Sequence, residues 1–323
     1  MIEVVKLSEL GEQDKKRILK RGEAEVEKAM EPARKILEDV KAGGDAALVE
    51  YTKKFDGVDI GIDELRVSKE EIDEALENTD SKLLRAIERA YRNIKRFHEN
   101  QVPKDWRIEV ETGVETGRRV VPMDRAGLYV PGGKAVYPSV MLMLAVPAKI
   151  AGVGEAIVCT PPRKGGTDPA SLIAARLCGV DAIFKVGGVQ AIGAMAYGTE
   201  TIPKADVIAG PGGPYVSAAQ RLVGKEVRVD FPPGPSEGMV IADKFANPKF
   251  VAADVLSEAE HGPDSAGVLV TDSPELARKV SGEFEEMAKG LPKARKGYVK
   301  ENVKKYSYII LTKDIEEAIG FVD

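Results

Sequence analysis

Glu258 and His261 lie three positions apart in the segment LSEAEHGPDS, and His261 is one of only two histidines in 323 residues. The apolar spacing over 250–260 predicts a helix, which would put the carboxylate and the imidazole on one face, a turn apart. Such a pair is the two-ligand half of a metal site. The approach to it, DFPPGPSEGMVIAD from Asp230, holds a Gly-Pro-Ser-Glu turn at 234–237 that adds a hydroxyl and a carboxylate. Three other turns combine glycines with a helix start: Tyr129-Val130-Pro131-Gly132-Gly133, Val186-Gly187-Gly188-Val189-Gln190 and Gly210-Pro211-Gly212-Gly213-Pro214-Tyr215. Glycine lets backbone approach a ligand closely, and a helix N-terminus favours an anion. None of the three has the G-x-G-x-x-G spacing of an ordinary dinucleotide fingerprint. Three in one small domain still point to a nucleotide or phosphate crevice. His98, beside Phe97 and one turn past Ile94, reads as a helix-edge histidine. Cys159 ends a strand with no helix N-terminus or cation to lower its pKa, so a nucleophilic thiol is not expected there.

The elements that must position these residues change character near Leu128. Before it, Glu25–Lys41 reads as an amphipathic helix ended by Gly43-Gly44, and a shorter helix follows from Asp45 to Phe55. Ser68 and Glu71 form a capping-box pattern, and Leu83, Ile87, Tyr91 and Ile94 form a helical stripe. From Leu128 to Ala242, short apolar strands alternate with helices. The strands are Gly127–Val130, Ala156–Thr160, Ala182–Val186, Asp206–Ala209, Val227–Asp230 and Met239–Ala242. The helices are Ser139–Ala151, Pro169–Leu177, Gln190–Tyr197 and Tyr215–Leu222. Strands without polar alternation are buried on both faces, which predicts a parallel sheet wrapped by helices, with ligands beyond the carboxyl ends of its strands. The predicted organisation is an N-terminal segment 1–24, a discontinuous first α/β domain of 25–128 and 238–323, and a second α/β domain, 129–237, inserted into it.

Size and charge set limits on function. A chain of 323 residues exceeds a usual single core. A net charge of −5 argues against nonspecific nucleic-acid binding. The longest apolar run, Val140–Pro147, is too short to span a bilayer, and the N-terminus does not read as a signal peptide. Two cysteines give no disulfide framework, so a cytoplasmic protein is expected. Abundant Glu and Lys are compatible with a thermophilic source.

The motifs YVPGG, VGGVQAIGAMAYGT, GPGGPYV, DFPPGPSE and SEAEHGPDS, in this order, resemble the histidinol dehydrogenase family over essentially the whole chain. The resemblance implies NAD-dependent, four-electron oxidation of L-histidinol to L-histidine through the aldehyde, with a zinc ion positioning the substrate. It implies two incomplete Rossmann-like domains and a homodimer whose sites are shared between subunits. By position it implies Tyr129 and Gln190 as NAD contacts and Ser236 as a substrate contact. It also makes His261 a zinc ligand facing substrate, and gives the further zinc-ligand position to Glu258, where the family usually has glutamine.

Other departures from the family pattern are Gly213, where it has an asparagine that contacts NAD, and Pro233, where it has alanine before the Gly-Pro-Ser-Glu turn. The family's Glu-His acid/base pair, and its remaining zinc ligands, fall beyond Asp323. No catalytic base is therefore assigned among these residues, and the 323-residue chain alone is expected to be inactive. Two other readings stay open. One is a related dehydrogenase of another small polar alcohol, and the other a non-catalytic nucleotide- or metal-binding homologue.

Overall fold

The computed structural model describes residues 2–19, 21–132, 136–230 and 236–323, with 21–24 described by backbone alone. In chain order it begins with β1 (Glu3–Lys6), α1 (Glu12–Leu19), α2 (Arg21–Asp56), α3 (Lys69–Glu77), α4 (Ser81–His98), β2 (Trp106–Glu111), β3 (Val114–Arg118), β4 (Arg125–Tyr129) and α5 (Pro138–Ile150). It continues through β5 (Glu155–Cys159), α6 (Pro169–Cys178), β6 (Ala182–Phe184), α7 (Gly188–Tyr197), β7 (Val207–Ala209), α8 (Pro214–Val223) and β8 (Arg228–Val229). The last elements are β9 (Glu237–Ile241), α9 (Pro248–Ala259), β10 (Ala266–Thr271), α10 (Pro274–Gly290), α11 (Lys293–Asn302), β11 (Tyr308–Leu311) and α12 (Ile315–Val322). The chain is α/β, with a Rossmann-like parallel sheet in each of two units: residues 26–233, and residues 1–25 with 234–323.

In the 26–233 unit the sheet order is β6-β5-β4-β7-β8, all parallel. Alternate residues of each strand face opposite layers. Tyr129, Ile157, Cys159 and Phe184 pack toward α2, α7 and α8, while Ala126, Leu128, Val158 and Ile183 pack toward α4, α5 and α6. Both faces are thus covered, which is why these strands carry no polar alternation.

The expected division of the chain needs correction here. Residues 26–128, assigned above to a domain shared with 238–323, belong with the sheet that follows them. In α2, Val26, Ala29, Ala33, Leu37 and Val40 form a stripe that is at most 3% exposed. It lies against α7 so closely that a Cβ at Gly193 would come within 3.1 Å of Leu37 and 3.3 Å of Val40. Fully burying side chains such as Leu37 and Val40 is worth about 1.5–3 kcal/mol each, so the stripe ties α2 to this unit. The helix is broken where the glycines predict, at Gly44 (φ 52°, ψ −136°), and the Asp45 amide there donates to Glu200 at 2.8 Å. In α4 the expected stripe of Ile87, Tyr91 and Ile94 packs inward, with Leu84 in place of the exposed Leu83 at its start. The hairpin β2–β3 was not anticipated at all.

In the other unit the sheet order is β1-β11-β10-β9, again all parallel. Leu269 and Ile309 face the layer containing α9, α10 and α11, while Val268, Val270, Tyr308 and Ile310 face α12. Among the described residues no helix is long and apolar enough to cross a membrane.

Candidate functional site

In the 26–233 unit the chain runs from β4 outward through β5 to β6, then returns to place β7 on the other side of β4. The carboxyl ends of β4 and β7 therefore flank a topological switch point, where open α/β sheets bind ligands. Tyr129 ends β4 and is 4% exposed. Its hydroxyl accepts a hydrogen bond of 3.0 Å from the amide of Gly188, at the start of α7. Burial pushes its pKa up to about 12, so it stays a neutral phenol whose proton can be donated. Across the switch point, the backbone of Gly210 (φ 141°) lies against that of Tyr129, and a side chain at 210 would overlap the Tyr129 carbonyl.

Gln190 is 1% exposed, and its Oε1 has no hydrogen-bond partner. Gly188 (φ 61°) comes so close to this amide that a Cβ there would stand 2.8 Å from Oε1. A buried amide oxygen left unpaired costs about 1–3 kcal/mol, which an amine or hydroxyl donor on a ligand would recover. Gln220, on α8, repeats the pattern without having been singled out from sequence. It is 1% exposed, its Nε2 donates to the Gly210 carbonyl at 2.9 Å, and its Oε1 is unpaired. The only signal in the sequence is a polar residue inside the apolar run of a short helix. Arg163 is a second omission. Its guanidinium donates to the Gly132 carbonyl, with Nε at 3.0 Å, and so carries a cation to the glycine turn after β4. Gly213 precedes α8 with φ −71°, and a Cβ there would meet nothing within 4 Å. Cys159 is fully buried, and desolvation drives its thiol pKa well above the ordinary value, in keeping with an inert thiol.

The other sequence candidates lie in the second unit. Ser236 precedes β9, and its carbonyl accepts from the Ala266 amide at 2.9 Å. The helix predicted over 250–260 is α9, which stops at Ala259, so His261 stands just beyond it. Its exposed ring turns back to the helix end, with Nδ1 2.6 Å from the Ser257 carbonyl. A carbonyl only accepts, so Nδ1 donates there, and Nε2 is the ring nitrogen that in the neutral imidazole would face a metal. The Glu258 side chain lies over Gly238 of β9. Among the described residues no three His, Cys, Asp or Glu side chains converge into a metal site. Glu258 and His261 are thus two donors, short of the four of a closed tetrahedral site. Gly133, Pro233, Gly234 and Pro235 lie outside the described residues. His98 ends α4, with Nδ1 2.5 Å from Gln101 Oε1.

Two parallel-sheet units, one with a strand-order switch beside β4, define an α/β protein of Rossmann-like architecture. The histidinol dehydrogenase family model matches residues 19–323. A histidinol dehydrogenase from Synechocystis sp. is 43% identical over 100% of this chain and 75% of its own length. Another, from Methanothermobacter thermautotrophicus, is 44% identical over 98% of this chain and 74% of its own. The crystal structure of histidinol dehydrogenase from Elizabethkingia anophelis superposes with a TM-score of 0.83 and 42% identity, covering 90% of this chain and 66% of that one. The chain belongs to the histidinol dehydrogenase family.

Proposed function

We propose that this protein serves the oxidation of L-histidinol to L-histidine as a homodimer, with NAD bound at the carboxyl ends of β4, β6 and β7. The observation that carries the cofactor reading is the unpaired, buried Oε1 of Gln190 beside the close backbone of Gly188. Bound NAD would supply the hydride acceptor, a fresh molecule for each of two oxidations, alcohol to aldehyde and hydrated aldehyde to carboxylate. Gln190 would accept a hydrogen bond from an amine or hydroxyl of the cofactor. Tyr129 would hold the Gly188 turn through its hydroxyl oxygen and offer its own proton outward. Ser236 would bind substrate, and His261 would contribute one metal ligand through Nε2, with Glu258 as a second.

General acid–base catalysis is worth about 10²–10⁴-fold, and neither histidine is offered as the base. His98 is paired with Gln101, and His261 is assigned to metal. The 323-residue chain alone is therefore proposed to bind NAD without oxidising L-histidinol, and to retain zinc below stoichiometry. Calorimetry with NAD, metal analysis, and NADH formation from L-histidinol test this. Absence of NAD binding would overturn the cofactor reading, and robust NADH formation by the chain alone would overturn its inactivity.

A further inference from the structure

Every residue of β2 and β3 is exposed. The two strands form a sheet of their own, and among the described residues no third strand joins either edge. A lone hairpin is marginally stable in water, and its unpaired edges are templates for further strands. One face gathers Trp106 (51% exposed), Ile108 (54%), Val110 (53%) and Val114 (50%). The opposite face carries Arg107, Glu109 and Glu115. Glu109 stands directly across from Glu115, a like-charge pair that opposes strand pairing, and Arg107 reaches Glu115 at 3.4 Å.

We propose that β2 pairs antiparallel with β2 of a second copy of this chain, about a two-fold axis at Ile108. This register sets Ile108 against Ile108 of the partner subunit, and Trp106 against Val110 of the partner subunit. On the other face it sets Arg107 against Glu109 of the partner subunit, so each Glu109–Glu115 pair, already reached by its own Arg107, gains a second cation. The charges select the register, because moving the axis to Glu109 would face that carboxylate with its own copy and bring Glu109 against Glu109. The register shift between Glu109 and Glu111 interrupts the strand there, confining the pairing to residues 106–110. Two marginal hairpins thereby become one four-stranded sheet with an apolar stripe along its two central strands, flanked by Thr116 and Arg118 on the outer ones, and the contact is self-complementary as a two-fold interface requires. The inference rests on the homodimer reading and gives that dimer a surface.

Trp106 is the only tryptophan in the chain, so its emission reports on the surface directly. Sedimentation equilibrium of the 323-residue protein should show a dimer whose Trp106 emission is blue-shifted and moves to the red on dilution. Ile108→Lys, at an exposed position the fold does not depend on, should weaken association at least about tenfold and shift the emission red, with unchanged circular dichroism. Arg107→Glu should also weaken it, and the double exchange Arg107→Glu with Glu109→Arg should restore it. A protein that is monomeric at every concentration overturns both the dimer reading and this interface. A dimer that Ile108→Lys and Arg107→Glu leave intact overturns the interface alone.

Discussion

Asp56 closes α2 as a half-buried carboxylate with one oxygen, Oδ2, shut off from solvent and without a hydrogen-bond partner. It stands at the negative end of a helix, an unfavourable place for an anion. The nearby cations are engaged elsewhere: Lys53 pairs with Asp59 at 2.7 Å, and Lys54 lies over the rings of Tyr51 and Phe55. Desolvation accordingly raises the Asp56 pKa from the ordinary 3.8 to about 6. An acid whose folded pKa is raised contributes stability that is fully present below its unfolded pKa and is lost as pH rises through its folded pKa. At about 1.4 kcal/mol per pH unit the rise is worth about 3 kcal/mol, and partial solvent exposure reduces this to about 1–2 kcal/mol. Asp56→Asn keeps the shape and removes the charge. The variant should therefore be about 1–2 kcal/mol more stable than the parent at pH 8. The advantage should shrink as pH falls through 6 and be nearly gone close to 3.8. Urea unfolding across this range, with the slope checked for constancy, measures it. No gain at pH 8, or a gain that does not change with pH, would refute the reasoning. Asp56 also lies within electrostatic reach of Tyr129.

Two further predictions concern the proposed cofactor cleft. Gly213→Asn fits without collision and supplies an amide worth about 0.5–1.5 kcal/mol, so it should tighten NAD binding by up to about tenfold. Calorimetry showing no gain would remove that contact from the account. Gln220→Leu removes both the bond to the Gly210 carbonyl and the unpaired oxygen, so thermal stability should change by about 1 kcal/mol or less. NAD affinity should nevertheless fall by up to about tenfold as the 210–213 turn loosens; a fall in stability with unchanged affinity would make Gln220 purely structural.

Local chemistry made much of this protein legible in its sequence. The strands of the five-stranded sheet read as uninterrupted apolar runs because both of their faces are covered, and Gly187, Gly188, Gly210 and Gly212 mark their carboxyl ends because only glycine permits such close approach there. The break at Gly44 was readable for the same reason. The sequence also carried the ordered motifs by which the chain resembles its family. Tertiary structure decided what depends on contacts between distant residues. Nothing local says that the stripe from Val26 to Val40 packs on Gly193 rather than on the sheet of the other unit, and the domain boundary moved accordingly. The hairpin 106–118 alternates as a strand should, but with neither face buried its pattern competes poorly with the helices around it. Glu258 and His261 have helical spacing, yet α9 ends between them and the imidazole turns to the Ser257 carbonyl. Asp56 and Gln220 look ordinary in the sequence. Their unpaired oxygens exist only because folding removes water from them without providing a partner, and desolvation is a property of the assembled fold.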